Sequence, residues 1–315
     1  MPNFPKPKFP YAYTPATEVQ KLRAHKAARG VPAKGANTLL VATWNIANFG
    51  GHERRAQDKQ LIAEVMSWFD IVAIQETKDN FGDLADVTHA LGAKHRLLMS
   101  DPAGNDERMA FVYDTTKLTL LEEIGEVAVP PKDLAKIKLP GVKLKFDGFD
   151  RNPYVGTWQA GKLSFLLANC HLFYGAEDEP SVQRRALETF AVARWANLRE
   201  KSKSAYTRHI LALGDFNMPK AEPGDAIFDA LTGSGMELPG HSTKIASSVV
   251  SDAQYDQIAF FPSETQSRFT GAKGVFDFDA VVFADLWQQS PKNFKAYVKY
   301  SLSDHRPMWM ELSIQ

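Results

Sequence analysis

The stretch Thr38-Leu39-Leu40-Val41-Ala42-Thr43-Trp44-Asn45 decides the class of this chain. Its apolar and β-branched residues run unbroken from Leu39 to Trp44 and stop at Asn45, the pattern of a buried strand with a polar end. Leu61, Ile62, Val65, Met66 and Phe69 then recur at helical spacing, and Ile71 to Gln75 is a second buried strand. Leu84, Val87 and Leu91 mark another helix. Met109 to Tyr113 and Leu118 to Leu121 read as neighbouring strands, and Tyr154 to Gln159 with Leu163 to Ala168 as a hairpin about Ala160-Gly161. Ser181 to Glu200 is a long amphipathic helix. His209 to Leu213, Tyr255 to Phe261 and Pro307 to Leu312 complete the strands. Short strands alternating with helices specify an α/β class, sheet covered by helices. Glu126 to Phe149 and Pro262 to Tyr300 interrupt the alternation and are expected to be surface elaborations.

With 315 residues and 44% hydrophobic side chains, the chain supports a large core and is not disordered over most of its length. Its longest apolar runs fall far short of the ~20 residues that cross a bilayer. Cys170 is the single cysteine, so no internal disulfide forms, and Met1 to Pro10 lack the apolar run of a signal peptide. A cytoplasmic location is expected. The 37 basic and 37 acidic residues balance, yet Lys6, Lys8, Lys21, Arg23, Lys26, Arg29 and Lys34 face only Glu18 within residues 1–38, a local charge of +6. Residues 1–37 read as a basic, proline-rich arm and 38–315 as the main domain. The arm suits either an anionic polymer or the domain surface, with Thr14-Pro15 and Gly30 framing a short helix near Ala16 to Ala28.

Polar residues at strand ends usually cap turns, but here they recur. The strand ends carry Asn45, Glu76, His171, Asp215 with Asn217, Asp256, and Asp304 with His305. Ligands in layered α/β folds collect at such ends, so six positions are expected to converge on one site. Glu76, Asp215, Asp304 and Asn45 are oxygen donors suited to a hard ion such as Mg²⁺, Mn²⁺ or Ca²⁺, and zinc signatures are missing. Two histidines with carboxylate partners supply a base and an acid. No GxSxG, Walker or GxGxxG motif is present, which leaves hydrolysis of a phosphate ester as the natural chemistry.

The ordered set Thr43-Trp44-Asn45-Ile46-Ala47-Asn48-Phe49-Gly50, Ile74-Gln75-Glu76-Thr77-Lys78, Asn169-Cys170-His171-Leu172, Gly214-Asp215-Phe216-Asn217, Tyr255-Asp256-Gln257-Ile258 and Ser303-Asp304-His305-Arg306-Pro307 resembles the endonuclease/exonuclease/phosphatase superfamily, in its deoxyribonuclease I-like branch. The resemblance implies a four-layer α/β/β/α sandwich over residues 38–315, with a metal site in the cleft at one edge. It implies a divalent-metal-dependent phosphodiester hydrolase, foremost a nuclease with DNA as partner and substrate. The other readings are a phosphoesterase acting on phospholipid, inositol phosphate or nucleotide, and a non-catalytic binding module that keeps the fold.

Carried onto this sequence, the resemblance makes Glu76 the principal metal ligand, with Asn45 and Asp304 nearby and Mg²⁺ the expected ion. Glu107 would orient His171 and Asp256 would orient His305. Arg151 and Lys78 would contact substrate phosphate, and Asn217 its non-bridging oxygens. His305 is expected to activate water and His171 to serve the leaving oxygen, with Asp215 as the competing base. Arg184 and Arg185 read as solvated, and Cys170 as a buried thiol.

Overall fold

The computed structural model describes residues 3–239 and 245–315. Twelve strands appear among the described residues: β1 Thr38–Phe49, β2 Ile71–Lys78, β3 His95–Met99, β4 Glu107–Asp114, β5 Thr119–Leu120, β6 Gly125–Glu126, β7 Tyr154–Ala160, β8 Leu163–His171, β9 Ile210–Asp215, β10 Asp256–Phe260, β11 Phe269–Val275 and β12 Met308–Ser313. They form two sheets. One has the order β11-β12-β1-β2-β4-β3; the other runs β10-β9-β8-β7-β5, with β6 on β7. The pairs β1/β2 and β8/β9 are parallel, and each is joined through a helix, as a parallel crossover requires.

Period-two geometry explains why these strands are apolar throughout. Leu39 and Val41 of β1 point at the opposite sheet, where Trp158, Phe165, Leu211 and Ile258 meet them. Leu40, Ala42 and Trp44 point outward, against the helices Ala56–Met66 and Gly82–Ala90 through Leu61, Ile62, Val65, Leu84 and Val87. The second sheet is covered in the same way: Leu166, Ala168, Ile210 and Ala212 pack on Val192 and Ala196 of the long helix Glu179–Glu200 and on Ile227 and Leu231. The result is the four-layer α/β/β/α sandwich.

Three expectations change. Pro262–Tyr300 is not a surface elaboration: it supplies the edge strand β11, and Phe276, Phe278, Phe283, Phe294 and Val298 are buried in the helix-side core. β11 reads Phe-Thr-Gly-Ala-Lys-Gly-Val, an exposed edge whose two glycines erase the strand pattern. Second, β4 and β5 are not neighbours, because the chain crosses between sheets after Asp114. Third, β3 lies at an edge with a half-buried pattern that the sequence reading passed over. The segment before Arg151 lies on the outer face of the long helix, Ile137 and Phe146 packing on Leu187 and Ala191.

Residues before β1 are tied to the sandwich. The helix Pro15–Ala28 buries Val19 and Leu22, and Phe9, Tyr11 and Tyr13 pack on the same cluster. Most of the basic groups here meet acids: Lys6 pairs Glu53, Arg23 pairs Glu64 at 2.7 Å, and Arg29 pairs Asp277 at 2.6 Å. Lys34 lies 3.8 Å from Asp70.

Candidate active site

Along the face between the sheets, each strand changes from apolar to polar toward one end. The series are Leu39, Val41, Thr43, Asn45 on β1; Ile71, Ala73, Gln75 on β2; Phe111, Met109, Glu107 on β4. They continue with Leu167, Asn169, His171 on β8; Leu211, Leu213, Asp215 on β9; and Phe260, Ile258, Asp256 on β10. A first polar layer closes the core: Gln75 Nε2 donates to Thr43 Oγ1 at 3.0 Å and Asn169 Oδ1 at 2.6 Å, while Asn169 Nδ2 donates to the carbonyls of Ile74 and Ala110. The reactive groups stand just above this layer.

Two histidine–carboxylate pairs converge there. His171 Nδ1 lies 3.0 Å from Glu107 Oε2, and His305 Nδ1 lies 2.8 Å from Asp256 Oδ2. With Nδ1 held by a carboxylate, the Nε2 of each ring is turned to the cleft. Both Nε2 atoms lie 3.8 Å from one oxygen, Asp215 Oδ2, which also accepts from Asn45 Nδ2 at 3.0 Å. Burial works against charge on His305, but the Asp256 and Asp215 carboxylates outweigh it and hold the imidazole well above its ordinary value. Asp215 would be raised by its burial, yet His305 and His171 lower it, so it remains a carboxylate. Glu107 is held far below the usual range by His171, Arg151 and Lys78 in spite of burial.

Glu76 depends on a break in its strand. Ile74 faces the helices, so regular alternation would turn Glu76 the same way; the β2 register shifts between Ile74 and Thr77 and Glu76 takes φ of 61°. Such a backbone is uncommon for a non-glycine residue and persists only where its surroundings hold it. Here Asn45 Nδ2 donates to Glu76 Oε1 at 3.0 Å and the Asn48 backbone N–H donates to Oε2 at 2.8 Å. Ser303 ties the remaining loop in place, its hydroxyl donating to the Asn45 carbonyl and accepting from the N–H groups of Ala47 and His305.

The donors fit a hard cation. Glu76 and Asp304 are both buried, and burial together with Glu76 raises the Asp304 carboxyl although His305 opposes it. Asp304 Oδ1 and Asn45 Oδ1 are buried oxygens with no hydrogen-bond partner. Oxygen donors gathered around mutually repelling carboxylates are what a divalent ion relieves. Asp215, Asp256 and His305 form a second buried group, its ligand atoms within 4.8 Å of one another.

The basic residues are placed otherwise than expected. Arg151, read as a phosphate grip, is buried: Nε donates to the His171 carbonyl at 2.8 Å and Nη2 to that of Leu172 at 3.0 Å, while Nη1 lies 2.9 Å from Asp150. Lys78 donates to Glu107 Oε1 at 2.8 Å. Both brace the His171–Glu107 pair. Asn217 donates through Nδ2 to the Leu172 carbonyl, and its N–H holds Asp215 Oδ1 at 2.8 Å. Two residues escaped the sequence reading. Asn48, inside the first motif, is buried with φ of 46°, and its side-chain amide carries no hydrogen bond. Arg54 is buried and donates to the carbonyls of Ala47, Asn48, Ser301 and Leu302, joining both flanks of the Glu76–Asp304 cleft. Asn48 had a signal in the Asn-x-x-Asn spacing; Arg54 had none. Cys170 is fully buried and its thiol is pushed above its ordinary range.

A family model described as the endonuclease/exonuclease/phosphatase family matches residues 42–278. The chain belongs to the endonuclease/exonuclease/phosphatase family. Members of this family are phosphodiesterases or phosphatases, generally dependent on a divalent metal, so the chain is a phosphoester hydrolase by class. Solved structures share its fold. A mannosyl-6-phosphatase of Bacteroides thetaiotaomicron is 18% identical over 87% of this chain and 99% of its own, with a TM-score of 0.54. Humanized TDP2 of D. rerio is 13% identical over 89% and 100%, with a TM-score of 0.57. The human Nocturnin catalytic domain is 15% identical over 90% and 95%, with a TM-score of 0.55. Among curated proteins nothing matches. Among the described residues no helix is long and apolar enough to cross a membrane.

Proposed function

We propose that the protein is a Mg²⁺-dependent phosphodiester hydrolase whose substrate is a nucleic acid, foremost DNA. The observation that carries the reading is the approach of two histidine–carboxylate pairs to the single oxygen Asp215 Oδ2. A phosphodiester needs one group to take a proton from water and another to serve the departing oxygen, and this arrangement holds a fixed carboxylate between two imidazoles. Asp215 accepts the water proton; its support is the carboxylate state that the two histidines favour. His305, kept charged by its neighbours, stabilises the phosphoryl oxygens, and His171 serves the leaving oxygen. Glu76, with Asn45 and Asp304, would hold the divalent ion, which supplies Lewis-acid polarisation of the phosphoryl group. Asn48 offers the unengaged amide that Arg151 and Lys78 do not.

A second reading, a phosphoesterase on a lipid, inositol or nucleotide phosphate, draws support from the pairing of the arm's basic groups with domain acids, which leaves fewer cations for a long polyanion. D. rerio TDP2, a protein of the same fold, has been solved with a single-strand DNA product. The test is a panel of plasmid DNA, single-stranded DNA, RNA, bis(p-nitrophenyl) phosphate, p-nitrophenyl phosphate and a phospholipid, each with Mg²⁺ or chelator. Cleavage of DNA and the diester with Mg²⁺ alone is expected. Turnover confined to the monoester or the lipid would replace the nuclease reading.

A further inference from the structure

The long helix Glu179–Glu200 opens with two arginines that the mechanism does not use. Each stacks on an aromatic ring of the loop leaving His171. The Arg184 guanidinium stands 4.1 Å from the Phe173 ring and 3.5 Å from Asp150, and Nε reaches Glu188 at 3.3 Å. Arg185 stands 5.1 Å from the Tyr174 ring and 3.7 Å from Glu177. Glu188 fastens the same loop, accepting from the Phe173 N–H at 2.9 Å.

Arg185 is the unusual member. It is 0% exposed, on a helix face where the sequence pattern suggested a solvated charge, and its guanidinium makes no hydrogen bond. Burying a charge is costly, so a fully buried guanidinium facing one ring and one carboxylate implies a requirement on those groups. Tyr174 is held at both ends: Arg185 lies over its ring and its hydroxyl donates to Glu177 Oε1 at 3.0 Å. A ring so fixed, three residues beyond His171, remains partly exposed. Tyr255, also partly exposed, lies beside the other histidine, its ring centroid 5.7 Å from that of His305.

We propose that Tyr174 and Tyr255 flank a recognition slot for the nucleobase of the nucleotide attached to the scissile phosphate, and that Arg185 is the positioning residue that sets Tyr174. This rests on the phosphodiesterase reading and deepens it by assigning recognition of the base to two named rings, one on the loop leaving His171 and one beside His305. Aromatic rings recognise bases through their faces whatever the sequence, and two fixed phenols lose little freedom on contact.

The test compares kcat/KM for thymidine 5′-(p-nitrophenyl phosphate) and for methyl p-nitrophenyl phosphate, diesters with one leaving group that differ in the nucleoside. In Tyr174→Ala the ratio of the first to the second is expected to fall about 5-fold or more, the low end of what losing one base–aromatic stack costs. Tyr174→Phe, which keeps the ring, retains the ratio. Arg185→Ala lowers it as Tyr174→Ala does, and the double variant loses no more than the larger single effect. An unchanged ratio in Tyr174→Ala, equal loss in Phe and Ala variants, or additive effects of Arg185 and Tyr174 would overturn the inference. If Arg185→Ala does not fold, the Tyr174 pair and Tyr255→Ala, expected to lower the ratio likewise, decide it. Turnover of neither diester by the wild type would instead fell the phosphodiesterase reading, and this inference with it.

Discussion

His171 and His305 are held alike: each has a carboxylate behind Nδ1 and the shared Asp215 oxygen before Nε2. Residues that act on one transition state as a unit are not independent. His171→Ala and His305→Ala are each expected to lower phosphodiester turnover at least ~10²-fold, and the double variant to lose less than the product. Multiplicative losses, read from steady-state kinetics, would mean that the two rings do not serve one step. Arg54 acts at the same scale by a different means. Its guanidinium reaches four carbonyls on two chain segments; that of Asn48 also accepts from the N–H groups of Gly51 and His52, so Arg54→Met strands the carbonyls of Ala47, Ser301 and Leu302. The expected cost is about 3 kcal/mol or more, because each buried acceptor left unmade costs on the order of 1–3 kcal/mol. Urea unfolding measures it, and a loss below about 1 kcal/mol would show that the carbonyls find other donors.

The segment before the first helix is an element held by specific contacts. At its tip Asn3 donates to the Gly51 carbonyl, and the Phe4 N–H donates to His52 Nε2 at 3.1 Å. His52 Nδ1 lies 3.0 Å from the Tyr300 carbonyl and its ring stacks on Tyr300. Both bonds need a neutral ring with its proton on Nδ1. Burial, with help from Arg54, lowers the His52 value from 6.5 to about 4. The folded value lies below the unfolded one, so the contribution is complete above about pH 6.5 and is lost as the pH falls through about 4. Proteolytic susceptibility of the first ten residues is expected to rise over that window. His52→Gln, which can accept the same bond but does not titrate, should flatten the rise; an identical pH profile in the variant would remove His52 from the account.

For the whole molecule, legibility followed burial. Strands buried on both faces between two sheets and two helix layers are continuous apolar runs, so Leu39–Trp44 and Ile71–Gln75 could be read directly. The edge strand Phe269–Val275 carries glycine and solvent-facing residues, and its packing partner Phe276 is buried for reasons that lie in other segments. The polar strand ends were legible because the inter-sheet face turns polar on six strands at one end, which bland turn capping does not require. Direction was not legible for arginine: the sequence reads Arg151 as a phosphate contact and Arg185 as a solvated cation, and only the fold shows carbonyls around the first and a tyrosine ring over the second. A long flexible cation takes its role from what surrounds it, whereas a strand-end carboxylate takes its role from the strand.

In the proposed reaction Glu76, turned into the cleft by a left-handed backbone, carries the charge on which metal-dependent phosphodiester hydrolysis depends. The most direct test is hydrolysis of bis(p-nitrophenyl) phosphate at saturating Mg²⁺ by the wild type and by Glu76→Gln, with folding checked by circular dichroism. The predicted result is a loss of at least ~10²-fold in a variant that remains folded, the scale of removing one strong electrostatic stabiliser. Near-wild-type turnover by folded Glu76→Gln would contradict it.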